Sequence, residues 1–170
     1  MEKPTRQEEF MMLYDPVHTQ FLRYCEVLTR DAELAKDLVS EVVLAAYEKL
    51  HTLKKKESFL YFLFGIARNT HLKHIRKSQK MTRFNGTEQQ VEGHQRCPEK
   101  SADVVLLYEA LERLPEKTKE ALVLFEIVGF SLKEVQQIQG GTLSGVKVRL
   151  KRGREKLKQE LMEKSAMENR

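Results

Sequence analysis

The pair Gly140-Gly141 is the strongest constraint on how this chain folds, because it parts two stretches of helical periodicity with a turn that needs residues free to take positive φ. Ahead of it, Ser131 and Glu134 have the spacing of a capping box, in which a hydroxyl and a carboxylate each satisfy a backbone amide left over at a helix start. A helix is therefore predicted from Leu132 to about Gln139. Behind the glycines, Thr142 or Ser144 is suited to cap a second helix. Along that helix Leu143, Val146, Leu150 and Leu157 keep one apolar face. Lys147, Arg149, Lys151, Arg152, Arg154, Lys156 and Lys158 take the other faces, with only Glu155 among them. A short capped helix, a tight turn and a cationic helix make a helix-turn-helix. That form suits a DNA groove, where Lys and Arg neutralise phosphates while a few side chains reach base edges.

The positive charge is local. Of 170 residues, 30 are Lys or Arg and 25 are Asp or Glu, for a net +5. Residues 1–56 hold nine basic and ten acidic side chains (net −1), 57–100 eight and four (net +4), and 101–170 thirteen and eleven (net +2). The N-terminal part is thus not a general nucleic-acid surface. An apolar content of 41% supports modest cores, so two small domains are expected rather than an enzyme barrel. Sparse glycine and proline make the chain predominantly helical.

Cys25 and Cys97 stand far apart without a CxxC spacing, and His71 and His74, three apart on a helix, lack a third ligand. Neither a disulfide framework nor a metal or other cofactor is expected. No Gly-rich phosphate loop, nucleophile–base pair or set of paired apolar carboxylates is present, which argues against an enzyme. The N-terminus lacks the apolar core of a signal peptide, and the longest apolar run, residues 59–67, is too short for a bilayer. These features read as a cytoplasmic protein without membrane insertion.

Asp15-Pro16 has the form of an N-cap followed by a first helical residue, predicting a helix over 16–29 with Val17, Phe21, Leu22, Cys25 and Leu28 on its apolar face. Asp31 caps a second helix, in which Leu34, Leu38, Val42, Ala45 and Leu50 form the stripe. Residues 57–77 read as a third, apolar nearly all round at first and basic afterwards. Periodicity then fails from about Ser78 to Lys100, where Asn85-Gly86, Gly93 and Pro98 mark a linker. Ser101 can cap a helix with Val104, Leu107, Tyr108, Leu111 and Leu114 as its face, stopped by Pro115. A helix over 116–128 follows, with Ala121, Leu122, Leu124, Phe125 and Val128 inward and Gly129 at its end.

In this order the parts resemble a bacterial RNA polymerase sigma factor of the extracytoplasmic-function (ECF) type of the sigma-70 family, over about residues 8–162. Three segments carry the likeness. Asp37-Leu38-Val39-Ser40-Glu41-Val42 resembles the family's DLVQE(V/A) polymerase-docking segment. Phe59, Leu63, Ile66, Ala67, Arg68, Asn69 and Arg76 fit its long helix, F-x-x-W-L-x-x-I-A-R-N-x-x-x-D-x-x-R. Residues 129–157 align without gaps to G-L-S-x-x-E-I-A-x-I-L-G-I-S-x-G-T-V-K-S-R-L-x-R-A-R-x-x-L, with Leu114-Pro115 at the family's LP turn.

The resemblance implies an all-α fold of two small helical domains: a sigma region 2-like bundle over 1–78, a polar linker over 79–100 and a sigma region 4-like helix-turn-helix domain over 101–170. It implies core RNA polymerase and promoter DNA as partners, with an anti-sigma factor as a further candidate. Asp37, Leu38, Ser40 and Glu41 would bind polymerase. Unstacking the minus-10 element costs about 1.4 kcal/mol per base-pair step, so the first domain must offer the freed strand a cationic surface. Lys54, Lys55, Lys56, Arg68, Asn69, Lys73, His74, Arg76 and Lys77 are candidates for it. Phe59, Tyr61, Phe62 and Phe64 are candidates for base stacking, although near-continuous apolar residues on a helix point to burial. For the minus-35 element, Ser144, Lys147, Arg149 and Lys151 are placed for base edges, Arg152, Arg154 and Lys156 for phosphates, and Thr142 is a further candidate contact.

The chain departs from the family pattern at several positions. Gln136 stands for an alanine, Gln139 for a leucine, Gly141 for an aliphatic residue, Ser144 for a glycine, Gly145 for a threonine and Gly153 for an alanine. A longer side chain at 136 either parts the two helices or bonds into the turn. Glycine inside a helix costs about 1 kcal/mol relative to alanine, which predicts a soft recognition helix. In the first domain Phe62 stands for a tryptophan, Gly65 for a basic residue and Lys73 for an acidic one. The alternatives are a degenerate sigma-like adaptor that docks without reading promoters and a free-standing helix-turn-helix regulator.

Overall fold

The computed structural model of the chain describes residues 4–84 and 101–168, which are predominantly helical with no strand among them. It divides into two compact units, Met1–Cys97 and Pro98–Arg170.

The first unit holds four helices: α1 (Arg6–Tyr14), α2 (His18–Thr29), α3 (Ala32–Lys49) and α4 (Phe59–Phe84). Asp31 caps α3, its carboxylate accepting from Glu33 N and Leu34 N at 2.9 Å each. The apolar stripe on α3 keeps Leu38, Val42 and Leu50 of the sequence reading and differs by one residue at two positions. Ala35, Leu38, Val42 and Ala46 are buried, while Leu34 is exposed and Ala45 only half-buried. Both alanines at 35 and 46 are fully buried on a helix that packs against α2 and α4, where a close-packed interior leaves little space for a larger residue.

Similarly, α2 buries Phe21, Tyr24, Cys25 and Val27 and exposes Leu22. Aromatic packing decides that phase: Phe64 of α4 meets the Phe21 ring edge-on at 5.3 Å and lies 4.8 Å from the Tyr24 ring. Such ring pairs add about 0.5–1.5 kcal/mol to simple burial.

Helix α1 was not anticipated. Thr5 and Glu8 form a capping box, with Thr5 N donating to Glu8 Oε2 at 2.7 Å and Glu8 N to Thr5 Oγ1 at 3.2 Å. The helix then seats Phe10 against Tyr14, Tyr47 and Phe59. Because α1 occupies this stretch, Asp15 ends it rather than starting α2, and Pro16 lies in the turn between them. Helix α4 also exceeds its expected end, running through Phe84 into the stretch read as linker. Gln79, Lys80 and Met81 are polar or exposed but favour helix, and neither they nor Ser78 is a breaker of the kind that Asn85-Gly86 supplies in the sequence. The rest of that linker lies outside the described residues.

The second unit comprises α5 (Ala102–Glu112), α6 (Glu116–Leu122), α7 (Leu132–Gln139) and α8 (Leu143–Glu168). A π-turn, Val123–Ile127, prolongs α6, with Val128 N reaching back to Val123 O at 2.9 Å. Phe125, expected inward, is half-buried, and the Arg154 guanidinium lies 5.5 Å from its ring centre. The core gathers Leu111, Leu114, Leu122, Leu124, Val128, Phe130, Val135, Ile138, Val146 and Leu150.

Cys25 is fully buried in the first unit, and burial pushes its thiol up to about 12. The folded state therefore prefers the neutral thiol. Its contribution to stability is complete below the free-thiol range, about pH 8.5, and fades as pH rises toward about 12. Iodoacetamide at about pH 8 is expected to leave Cys25 unmodified in the native chain and to alkylate it in urea, as peptide mapping by mass spectrometry will report.

Candidate nucleic-acid interface

Helix α7 begins where the sequence places it. Ser131 N donates to Glu134 Oε2 at 2.7 Å and Glu134 N to Ser131 Oγ at 3.3 Å, closing the capping box. The turn follows in two positive-φ residues, Gly140 (73°) and Gly141 (83°). Gln136 does not part the helices: its amide donates to Gly141 O at 3.0 Å and ties the turn to α7. Thr142 Oγ1 then accepts from Gly145 N at 3.1 Å, capping α8. Gln139, in place of an apolar anchor, donates to Lys117 O at 2.9 Å and to the buried carboxylate of Glu120 at 2.8 Å.

The rotation of α8 is set by its buried face. Val146, Leu150 and Gly153 lie against α6 and α7. A Cβ on Gly153 would come within 2.7 Å of Thr118 Cγ2 and 2.9 Å of Leu122 Cδ1. That glycine is thus a condition for the close approach of α6 and α8 rather than a soft point, and α8 runs unbroken for 26 residues. Farther along, Arg113 pairs with Glu160 at 2.7 Å and Lys164 with Glu109, so α5 holds the distal part of α8.

This rotation sorts the expected DNA contacts. Thr142, Ser144, Lys147, Lys151, Arg152 and Lys156 are exposed. Arg149 lies on the flank and is half-buried; its Nε and Nη2 have no hydrogen-bond partner in the structure. Its Nη1 would lie 3.7 Å from a Cβ at position 145, an ordinary contact, whereas the Thr142 Oγ1 that caps the helix would lie at 3.2 Å. Arg154, expected on a phosphate, is instead committed to Glu126, with Nε at 2.7 Å and Nη2 at 2.6 Å from one carboxylate oxygen. Sequence reasoning missed Glu126 because its partner lies 28 residues away and no local pattern joins them.

In the first unit Asp37, Ser40 and Glu41 are exposed along α3, and Leu38 is not, at 1% exposure. Leu38 anchors the segment in the core and cannot itself touch a partner. Glu41 Oε2 lies 2.9 Å from His74 Nε2, joining the acidic segment to α4. Lys54, Lys55 and Lys56 are exposed before α4, with Lys56 Nζ 3.0 Å from Glu9. Asn69, Lys73, His74, Arg76 and Lys77 are exposed on α4, and Arg68 is half-buried. Of the four aromatics, Phe59 and Phe64 are core, Phe62 is half-buried, and Tyr61 alone is largely open, at 49%. Arg6 was not anticipated either: it donates 2.7 Å bonds to Tyr47 O and Glu48 O, closing the end of α3.

Comparison with known proteins matches two family patterns, Sigma-70 region 2 over residues 13–81 and Sigma-70, region 4 over residues 105–157. The chain is 26% identical to the ECF RNA polymerase sigma factor SigX of Bacillus subtilis, across 92% of this chain and 89% of that protein. Among solved structures it resembles the sigma factor RpoE of Bartonella quintana, in complex with the anti-sigma factor NepR, with a TM-score of 0.66 and 22% identity over 92% and 96% of the two chains. It also resembles CnrH, in complex with the cytosolic domain of CnrY, with a TM-score of 0.66 and 20% identity over 91% and 88%.

The packing at Gly153 reverses the sign expected from helix propensity. Gly153→Ala should destabilise the second unit by about 1–3 kcal/mol through overpacking, outweighing a propensity gain of about 1 kcal/mol. Thermal unfolding followed by circular dichroism measures it, and an unchanged or raised Tm would contradict the close approach.

Proposed function

The chain belongs to the sigma-70 family of RNA polymerase sigma factors, in its extracytoplasmic-function group, and on that premise we propose how its residues divide the work. As a sigma factor it binds core RNA polymerase and directs it to specific promoters. We assign polymerase docking to the first unit, through Asp37, Ser40 and Glu41. Lys54, Lys55, Lys56, Asn69, Lys73, Arg76 and Lys77 offer the opened minus-10 strand a cationic track, with Tyr61 as the available stacking ring. The second unit reads the minus-35 element with α8: Ser144, Lys147 and Lys151 toward base edges, Arg152 and Lys156 toward phosphates.

One observation supports promoter reading over a docking-only adaptor. The turn between α7 and α8 is fully bonded, from the Ser131 capping box through the Gln136 bond to Gly141 O. The Gln136 and Gly141 departures thus leave a formed helix-turn-helix with its cationic face outward.

The role is that of a transcription factor acting in the cytoplasm, with no catalytic step of its own; no helix among the described residues is long and apolar enough to cross a membrane. An anti-sigma factor is a further partner class, since one structural neighbour was solved bound to one.

Asp37→Lys with Glu41→Lys is expected to weaken binding to core polymerase about tenfold or more, equivalent to about 1.4 kcal/mol, without loss of helical circular dichroism. Wild-type chain with core enzyme should start transcripts in a run-off assay; core binding without transcripts would instead identify an adaptor. In a salt titration of promoter binding, Lys156→Ala, which removes a phosphate contact, should lower the slope of log K against log salt by about 0.9. Arg154→Ala should lower it by clearly less, because that guanidinium is already held by Glu126.

A further inference from the structure

Between Leu143 and Lys156, the solvent face of α8 carries one large apolar residue among polar and charged ones. Val148 is 46% exposed although its neighbours on that face, Ser144, Lys151 and Arg152, are polar or charged. At about 100° per residue it points directly away from Val146, Leu150 and Gly153, the residues that seat the helix. It is therefore at the centre of the face that the core leaves outward, whereas Arg149 lies on the flank and Arg154 is held by Glu126. In the family pattern this position is a serine.

We propose that Val148 determines promoter specificity by packing against the C5-methyl group of a thymine in the minus-35 element. The proposal rests on the reading of α8 as the recognition helix. A β-branched side chain in a helix is held almost entirely in one χ1 rotamer, so Val148 presents a fixed apolar knob with little entropy left to lose. The flanking Lys147, Lys151 and Arg152 hold long, mobile chains that must be ordered before they discriminate among bases. In the major groove the feature that an apolar knob recognises is the thymine methyl, which no other base carries. Ser144 lies one turn earlier on the same face, so a hydroxyl for a polar base edge and a methyl contact for thymine stand side by side.

The test uses the full chain assembled with core polymerase and a duplex pool randomised across the minus-35 region. The wild type should select a thymine at one position, and Val148→Ala should lose preference at that position while keeping the others. Replacing that thymine by deoxyuridine, which removes only the methyl, should weaken wild-type binding about fourfold, the worth of burying one methyl group. The same replacement should change binding of the Val148→Ala chain by less than about twofold, because the methyl has then lost its partner. An enriched motif whose thymines tolerate deoxyuridine equally in both chains overturns the proposal and leaves base reading by α8 intact. Failure to enrich any minus-35 motif, with transcription still directed by the minus-10 element, overturns both.

Discussion

The burial of Val146, Leu150 and Gly153 against α6 and α7 is the constraint on which the function of the second unit depends. A helix has one rotation about its own axis, so fixing which side chains point inward fixes all those that point outward. Gly153 makes that choice narrow, because Thr118 and Leu122 occupy the space its side chain would need. From Ser144 to Lys156 the exposed set is Ser144, Lys147, Val148, Lys151, Arg152, Arg154, Glu155 and Lys156, with Arg154 paired to Glu126. The cationic character of α8 is a property of composition; its usefulness is a property of this one packed seam.

The first unit uses the same device. Leu38 and Val42 are drawn into a core of Phe21, Tyr24, Leu63 and Phe64, which turns Asp37, Ser40 and Glu41 to solvent. Arg6 and Phe10 of α1 then close the end of α3, the guanidinium on its last carbonyls and over the Tyr47 ring at 4.9 Å. Phe10 also touches Phe59, the first residue of α4. The short α1 thus braces the ends of the two helices that carry the candidate docking and strand-binding residues.

What was legible in the sequence was local. The cap at Asp31, the capping box at Ser131 and Glu134, the glycine turn and the Thr142 cap all involve atoms a few residues apart, and all stand where the residues predict them. Thr5 and Glu8 have the same signature, so the start of α1 is equally legible, while its weak apolar face, with Phe10 its buried residue, leaves the rest of the helix unmarked. The phases of α2 and α3 were not legible to one residue. Tyr24 is buried because Phe64 lies against it, and Ala35 and Ala46 are buried because two helices converge on α3. Arg154 illustrates the same limit in the candidate site: its basic character is local, but its commitment to Glu126 is decided by the packing of α8 beside the π-turn.

The departures from the family pattern form a connected set rather than scattered wear. Where an apolar anchor would hold the turn by burial, Gln139 holds it by donating to Lys117 O and the buried Glu120 carboxylate, and Gln136 adds its bond to Gly141 O. A hydrogen bond to a charged group contributes about 1.5–3 kcal/mol, comparable to burying a leucine side chain at about 1.5–3 kcal/mol, so the exchange need not weaken the unit. It does change the kind of constraint. Burial is indifferent to a few degrees of rotation, whereas a bond from Gln139 to two acceptors on α6 holds only over a narrow range of angles. The Oε1 atom of Gln139 is buried without a partner, a cost that the two donated bonds must offset. Exchanging nonspecific burial for directed bonds near the turn fixes α7 against α6 in orientation as well as distance. With Gly153 admitting α8 closely to the same helix, α6 becomes the common reference for both arms of the helix-turn-helix.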